Sequence, residues 1–230
     1  MSEPIRVFVG WDARESIAYD VCRHSLLSRS SVGVDVRPIR LNDLRNDGLY
    51  WREGDPLAST EFTYSRFLTP HLAGFRGLAI YCDCDFLWLD DVATLAARID
   101  PDMAVSCVQH DYTPRETTKM DGRVQSAYPR KNWSSLMVFN ASHPACRTLT
   151  PALVNTAKPA FLHRMGWAAD PEIGSLDPRW NWLEGWNKPG ASIPGAVHFT
   201  RGGPWFEQWR GVDYADLWLA ERDSMRNGRS

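Results

Sequence analysis

No apolar run in these 230 residues approaches the ~20 needed to cross a bilayer. Charge of one sign is also missing. The formal net charge is −2, which excludes a general attraction to nucleic acid or to acidic membranes. Met1 to Arg6 lacks the apolar stretch of a secretory signal and leads straight into a strand-like run, so no leader is expected. Cys22, Cys82, Cys84, Cys107 and Cys146 are odd in number and sit in apolar runs. They read as reduced core thiols of a cytoplasmic protein, not as a disulfide framework. Cys82 and Cys84 have no second Cys/His pair to complete a zinc set. Repeats, low-complexity tracts and linker-like segments are absent, so one domain is expected, and 43% hydrophobic residues supply it with a sizeable core. Tryptophan is abundant, with 11 residues, most of them between Trp167 and Trp218. Aromatic faces suit the C–H patches of sugar rings, and they also fill cores.

The pattern along the chain alternates strand and helix. Strands are expected over Ile5–Val9, Val34–Leu41, Leu78–Cys82, Met103–Val108 and Leu136–Phe139. Helices are expected over Glu15–Ser28, with Ile17, Val21 and Leu27 inward, and over Glu61–Leu72, with Thr60 as N-cap. Val92, Leu95, Ala96 and Ile99 give a further helix its stripe. Another starts at Pro144 and carries Cys146, Leu149 and Leu153, and a closing helix covers Asp213–Arg222. Continuous apolar strands between helices predict an α/β fold, a mostly parallel central sheet with helices on both faces. Ligands of such sheets bind at the carboxyl ends of the strands.

Three such places carry chemistry. After Leu78–Cys82 comes Asp83-Cys84-Asp85. Alternate residues of an extended segment share a side, so both carboxylates can face one site. Their repulsion is relieved by a hard divalent cation, Mn²⁺ or Mg²⁺. A solvated acidic turn is the plainer alternative. Second, His198 ends an apolar run and is followed by Thr200-Arg201-Gly202-Gly203. Imidazole can ligate such a cation, Arg201 can contact phosphate, and the glycines can bring backbone N–H groups close to an anion. A lone core histidine before a turn is the commoner arrangement. Third, Gly10-Trp11-Asp12-Ala13-Arg14 follows the first strand. Asp12 can accept from a nucleotide base with Trp11 beside it, or simply begin a helix. No G-x-G-x-x-G loop is present.

The order of these motifs resembles glycosyltransferase family 8, a GT-A (Rossmann-like) fold family that includes glycogenin and bacterial lipopolysaccharide galactosyltransferases. Thr63-Tyr64-Ser65-Arg66-Phe67 and Ala79 to Asp85 resemble its donor-binding helix and "YLDxD" strand. Trp133 to Asn140 resembles "FNAGVLLIN", and His198 to Trp205 resembles "HFxGxxKPW". The resemblance implies metal ligation by Asp83, Asp85 and His198, base binding at Asp12, and sugar or diphosphate binding at Arg66. Asp170 and Glu172, where the family has Asp-Gln-Asp, fall near the anomeric carbon. The implied donor is a nucleotide-sugar, with UDP-hexose first. The acceptor is a glycan, lipid-linked or other hydroxyl, and the product keeps the anomeric configuration. A nucleotide-binding part of about residues 1–110 and an acceptor and metal-completing part of about 111–230 would share the domain. Three departures stand out: Arg201 in place of the Lys before Pro-Trp, Ser134-Ser135 in place of Asn-Ala, and Pro171 in place of Gln. They leave the donor sugar open. Other readings are a nucleotidyltransferase-like enzyme, which usually carries a Gly-rich basic loop after the first strand, and a non-catalytic Trp-rich sugar-binding module. Trp209, Tyr214, Leu217 and Trp218 could form a peripheral membrane face, although such residues more often pack onto a core.

Overall fold

The computed structural model describes residues 3–56, 58–111, 130 and 132–228. Its frame is set by strands without polar alternation. In β1 (Ile5–Gly10) the run Val7 to Val9 is buried, and a residue with a side chain at Gly10 would meet the ring of Phe62 at 2.5 Å. The chain continues through α1 (Ser16–Arg29), β2 (Val34–Ile39), α2 (Leu41–Asn46), α3 (Thr69–Leu72) and β3 (Leu78–Cys82). Ala79 to Cys82 are all fully buried. Successive side chains of a strand point to opposite faces, so this sheet is covered on both. Then come β4 (Phe86–Trp88), α4 (Val92–Ala96), β5 (Val105–Cys107), β6 (Leu136–Asn140), α5 (Pro144–Arg147), α6 (Pro151–Thr156) and α7 (Pro159–His163). The chain ends with β7 (Ile173–Ser175), β8 (Trp182–Leu183), β9 (Ala196–His198) and α8 (Ala215–Asn227).

Six strands form the main sheet in the order β2-β1-β3-β6-β5-β7. β6 alone runs antiparallel to its neighbours, so the sheet is mostly parallel, as expected. A second sheet, β4-β9-β8, was not foreseen. It consists of short strands from the Trp-rich half and from the segment just after β3. It packs a second core of Val21, Leu87, Trp182, Val197, Phe199, Trp218 and Met225 between α1 and α8.

Several expected elements need correction. Leu27 is 36% exposed, and the inward face of α1 is Ala18, Val21, Cys22, Ser25 and Leu26. Leu41 begins a helix and does not end a strand. The expected helix over Glu61–Leu72 is broken into turns, a 3₁₀ segment Ser65–Leu68 and α3. Pro70 explains the break: a continuous helix would drive its ring into the carbonyl of Arg66. That carbonyl instead accepts from the Thr69 hydroxyl at 2.7 Å. Thr60 caps no helix and bonds to Thr63. Pro151 likewise splits the helix expected from Pro144, and Thr150 caps the new start through the Leu153 N–H. Among the described residues no helix is long and apolar enough to cross a membrane.

α8 is fastened to α1 by Glu221. Its carboxylate lies 2.5 Å from His24 Nδ1 and 2.7 Å from the Arg29 guanidinium, with Ser28 donating as well. Burial alone would raise its pKa, but the bonds from Arg29 and His24 outweigh that and hold it below the usual 4.5. Such a group stabilises the fold above its unfolded pKa, and the contribution is lost as pH falls through the folded value. Glu221→Gln should therefore cost about 1–3 kcal/mol near neutral pH. Urea melts of mutant and wild type should converge as the pH is taken below 4.5.

Candidate metal and donor site

β3 belongs to the large sheet and β4 to the small one, so Asp83-Cys84-Asp85 spans the crossing between them. Both ends of the crossing are pinned by backbone. The Asp83 N–H donates to the Ser135 carbonyl, and the Asp85 carbonyl accepts from the Phe199 N–H, each at 3.0 Å. Phe86 is paired with His198 in the β4–β9 ladder, and their rings stack at 4.6 Å. That pairing sets the imidazole against the crossing, with His198 Nε2 3.4 Å from Asp85 Oδ1. One ligand atom from each of Asp83, Asp85 and His198 lies within 4.8 Å of the others. Between the two aspartates Cys84 is buried, and the segment forms a turn between β3 and β4 and not a continuous strand.

Asp83 is held hard. Its Oδ1 accepts from the Tyr81 hydroxyl at 2.7 Å and lies 2.8 Å from Arg66 Nη1. Arg66 also donates to the carbonyls of Phe62 and Ser134, and its guanidinium sits over the rings of Phe62 and Tyr81. Burial raises the pKa of Asp83. Arg66 opposes the rise and the neighbouring Asp85 adds to it. Two carboxylates that destabilise each other's charge, together with a neutral-capable imidazole, form a donor set suited to a hard divalent cation.

The other expected residues are placed as follows. Asp12 is fully buried and caps the turn Ala13–Glu15 through the Arg14 N–H. Both its oxygens are taken, by the Arg14 guanidinium at 2.8 and 3.0 Å and by the Glu61 N–H. Trp11 lies under the Arg40 guanidinium. Arg201 is clasped by buried Glu184 at 2.9 Å and lies over Trp209. The Gly202 N–H is spent on the Phe199 carbonyl, and a side chain on Gly203 would strike the Trp205 ring at 2.0 Å. Gly203 therefore has a packing reason, Gly202 a conformational one with φ +124°, and the N–H of Gly202 is not held open for an anion.

Asp170 and Glu172 are not where the resemblance placed them. The rows Ala79–Phe139–Val105–Ile173 run straight across the sheet. Glu172 is therefore level with Leu78, five residues before Asp83, or roughly 16 Å away along the strands. Its side chain bonds back to the Ala169 N–H, and Asp170 is exposed and paired with Arg130. Ala169, not Asp170, is the residue at the N-cap. The short β7 fixes this arrangement, because it adds to β5 in parallel and so begins at the amino end of the sheet.

Four contributors escaped the sequence reading. Asn181, Ser135 and Tyr81 are ordinary core residues by composition, and only their contacts reveal them. Glu15 is the fourth. It is nearly fully buried, and burial together with the charges of Asp85 and Asp12 pushes it up to about 8. The one available signal was an acid three residues after a cap, in the turn that follows β1. His110, after β5, is driven down to about 3 by burial and by His198, so its ring is neutral. Beside these groups, at the carboxyl ends of β1 and β2, a cavity of about 310 Å³ is lined by Arg14, Arg45, Arg52, Tyr50, Tyr64 and Glu61. Of the two uses open to the tryptophans, core filling holds for Trp180, Trp182 and Trp218, which are buried.

A raised acid such as Glu15 favours the fold fully below its unfolded pKa of about 4.5, and that advantage is lost as pH rises through about 8. Glu15→Gln removes the loss. The variant should match wild type in thermal melts near pH 4 and exceed it near pH 8.

No family model matches the sequence. Protein CDI of Arabidopsis thaliana is 56% identical over 225 residues, which cover 96% of this chain and 87% of that protein. Among solved structures, the glycosyltransferase GlyE of Streptococcus pneumoniae TIGR4 superposes with a TM-score of 0.65 at 13% identity. The match covers 99% of this chain and 63% of GlyE. The bifunctional glycosyltransferase WbbM gives 0.67 at 15% identity, over 96% of this chain and 50% of that one. The galactosyltransferase LgtC, solved with donor and acceptor sugar analogues, gives 0.63 at 12% identity, over 96% of both chains. The chain thus spans under two thirds of GlyE and half of WbbM. It belongs to the family of Protein CDI, and its fold is the GT-A fold of family-8-type glycosyltransferases.

Proposed function

We propose that this protein is a metal-dependent glycosyltransferase that moves a hexose from a nucleotide-sugar, UDP-hexose first, to a hydroxyl of a glycan, lipid-linked or other acceptor. The observation that carries the reading is the convergence of Asp83, Asp85 and His198 at the junction of the two sheets of a GT-A fold. Mn²⁺ or Mg²⁺ held by these three would neutralise, as a Lewis acid, the charge that develops on the departing diphosphate.

The remaining roles follow from where the side chains lie. Arg66 is a buried cation beside Asp83 whose Nε and Nη1 are taken by Phe62, Ser134 and Asp83, so its fixed charge is what would act on the diphosphate or the sugar. The oxygens of Asp12 are already filled, so the nucleoside is better served by the cavity around Arg14, Arg45 and Tyr50, with Asp12 holding Arg14 in place. Arg201 and Glu184 form a pair at the far side of His198, and only displacement of Glu184 would turn Arg201 toward phosphate. Residues to about 110 contribute the nucleotide part, and those beyond supply His198 and the acceptor side. With Asp170 and Glu172 at the opposite end of the sheet, neither provides the carboxylate of a covalent intermediate. Retention then proceeds with the acceptor approaching on the face from which diphosphate leaves.

A panel of nucleotide-sugars, assayed for Mn²⁺-dependent release of nucleoside diphosphate, tests the reading. Turnover should appear with one UDP-hexose or a close relative. Asp85→Asn should leave the melting curve intact and lower turnover roughly 100-fold or more. A folded variant with undiminished metal-stimulated release would overturn the ligand assignment. Arg66→Ala should weaken donor binding in calorimetry, and unchanged affinity would make Arg66 a purely structural counter-ion to Asp83. For a gluco- or galacto-configured donor, the anomeric proton of the fresh product should show the small coupling of retention.

A further inference from the structure

His198 can serve the site only in one of its two neutral forms. Its Nε2 faces Asp85 at 3.4 Å, while its Nδ1 faces Asn181 Oδ1 at 3.0 Å. If the proton sat on Nε2, the ring would donate to the Asp85 carboxylate and offer the site no lone pair. If it sits on Nδ1, the ring donates to Asn181 and Nε2 is available. A charge-assisted bond to Asp85 is the stronger attraction on its own, so something must hold the other form.

A buried relay does so. Asn181 is fully buried, in the 3₁₀ turn Pro178–Asn181 that Asp177 caps at 2.9 Å through the Arg179 N–H. Its Nδ2 donates to Ser135 Oγ at 2.9 Å. Ser135 Oγ spends its single proton on the Asn132 carbonyl at 2.7 Å. The hydroxyl oxygen can then only accept, so the group of Asn181 that faces it must be the NH₂. That orientation leaves Oδ1 toward His198, and an amide oxygen accepts only, so Nδ1 must carry the hydrogen. The polarity is set by a backbone carbonyl, which cannot reverse. The ring itself is clamped by Phe86 stacking at 4.6 Å.

We infer that Asn181, oriented by Ser135, is the positioning residue that keeps His198 in the Nδ1–H form and its Nε2 open toward Asp83 and Asp85. The inference rests on the reading of these three residues as a metal site, since outer partners of a metal-binding histidine fix its tautomer and raise its basicity. Removing one typically costs 10–100-fold in metal affinity.

Two measurements separate the relay from the metal reading. Long-range ¹H–¹⁵N correlation spectra of the metal-free protein, at a pH where the ring is neutral, report the tautomer of His198 directly. Wild type should show Nδ1–H. Asn181→Leu should shift the ring toward Nε2–H, and Asn181→Asp, which still accepts from Nδ1–H, should restore the wild-type pattern. Mn²⁺ titration calorimetry should then show affinity down 10–100-fold in Asn181→Leu and within a few-fold of wild type in Asn181→Asp. Should Asn181→Leu fail to fold, Ser135→Ala decides: loss of the acceptor that orients the amide should give a mixed tautomer and weaker Mn²⁺ binding. A wild-type Nε2–H ring, or variants that fold and keep both tautomer and affinity, would overturn the inference. A wild-type Nδ1–H ring in a protein that binds no Mn²⁺ would overturn the metal reading and with it the role inferred for the relay.

Discussion

Asp83 and Asp85 are two carboxylates of one three-residue segment, buried or half-buried, with no room to separate. Much of the surrounding structure answers that repulsion. Burial raises the pKa of Asp83, and Arg66 and Tyr81, which both bond its Oδ1, oppose that rise. Arg66 can be buried because Phe62 and Ser134 offer carbonyls and two aromatic rings offer faces. Glu15, the third acid nearby, is shifted in the same direction, and burial with the charges of Asp85 and Asp12 pushes it up to about 8. An acid that gives up its charge costs less than one more buried anion. The site is therefore a set of acids that oppose one another's charge, an arrangement compatible with a divalent cation.

The second sheet is what turns a strand-end acidic pair into a three-sided site. β9 brings His198 to Asp85 only because β4 follows the acidic segment at once and pairs with it. β4 and β9 are short and apolar, and they are held by the core of Trp182, Trp218, Phe199 and Val21. In the tryptophan-rich half, Trp182 and Trp218 close a small core, and the closed core fixes a histidine. Trp180 shows the same economy. It sits beside Trp88 and directly precedes Asn181, so the packing that buries the ring also positions the amide.

How much of this was legible depends on the kind of signal. β3 was read to the residue because its apolar run is unbroken and Asp83 ends it abruptly. The clustering of Asp83, Asp85 and His198 was legible because charged residues at the ends of apolar runs are rare enough to notice. The broken helix over 61–72 was misread because helical spacing of Tyr64, Phe67 and Leu68 was given more weight than Pro70. Leu27 was misassigned by a single step around α1, which one exposed leucine does not make visible in the sequence. Asp170 and Glu172 failed for a deeper reason. Their placement depends on the register of β7 against β5, a non-local choice that three residues, Ile173-Gly174-Ser175, do not announce. Gly174 does carry a trace of it: a side chain there would meet Ser106 at 2.5 Å, so the close pairing needs glycine.

One regularity links the pairs at the carboxyl end of the sheet. Asp12 is paired with Arg14, Asp83 with Arg66, and Glu184 with Arg201. In the Asp12–Arg14 and Glu184–Arg201 pairs the acid is the more buried member and the arginine the one nearer water; in the Asp83–Arg66 pair both are buried, the arginine more so. A buried carboxylate left alone would be expensive, so each acid fixes an arginine in one place, and Arg14 and Arg201 reach outward on a rigid mount. An arginine fixed in this way gives up little side-chain freedom when an anion arrives, which is the entropic part of binding a diphosphate. The acids are thus read less well as ligand contacts than as anchors. On the proposed reading that distinction would move recognition of a nucleotide from Asp12 to the arginine it holds, and it leaves Asp83 and Asp85 as the acids whose geometry, with that of His198, is compatible with an ion.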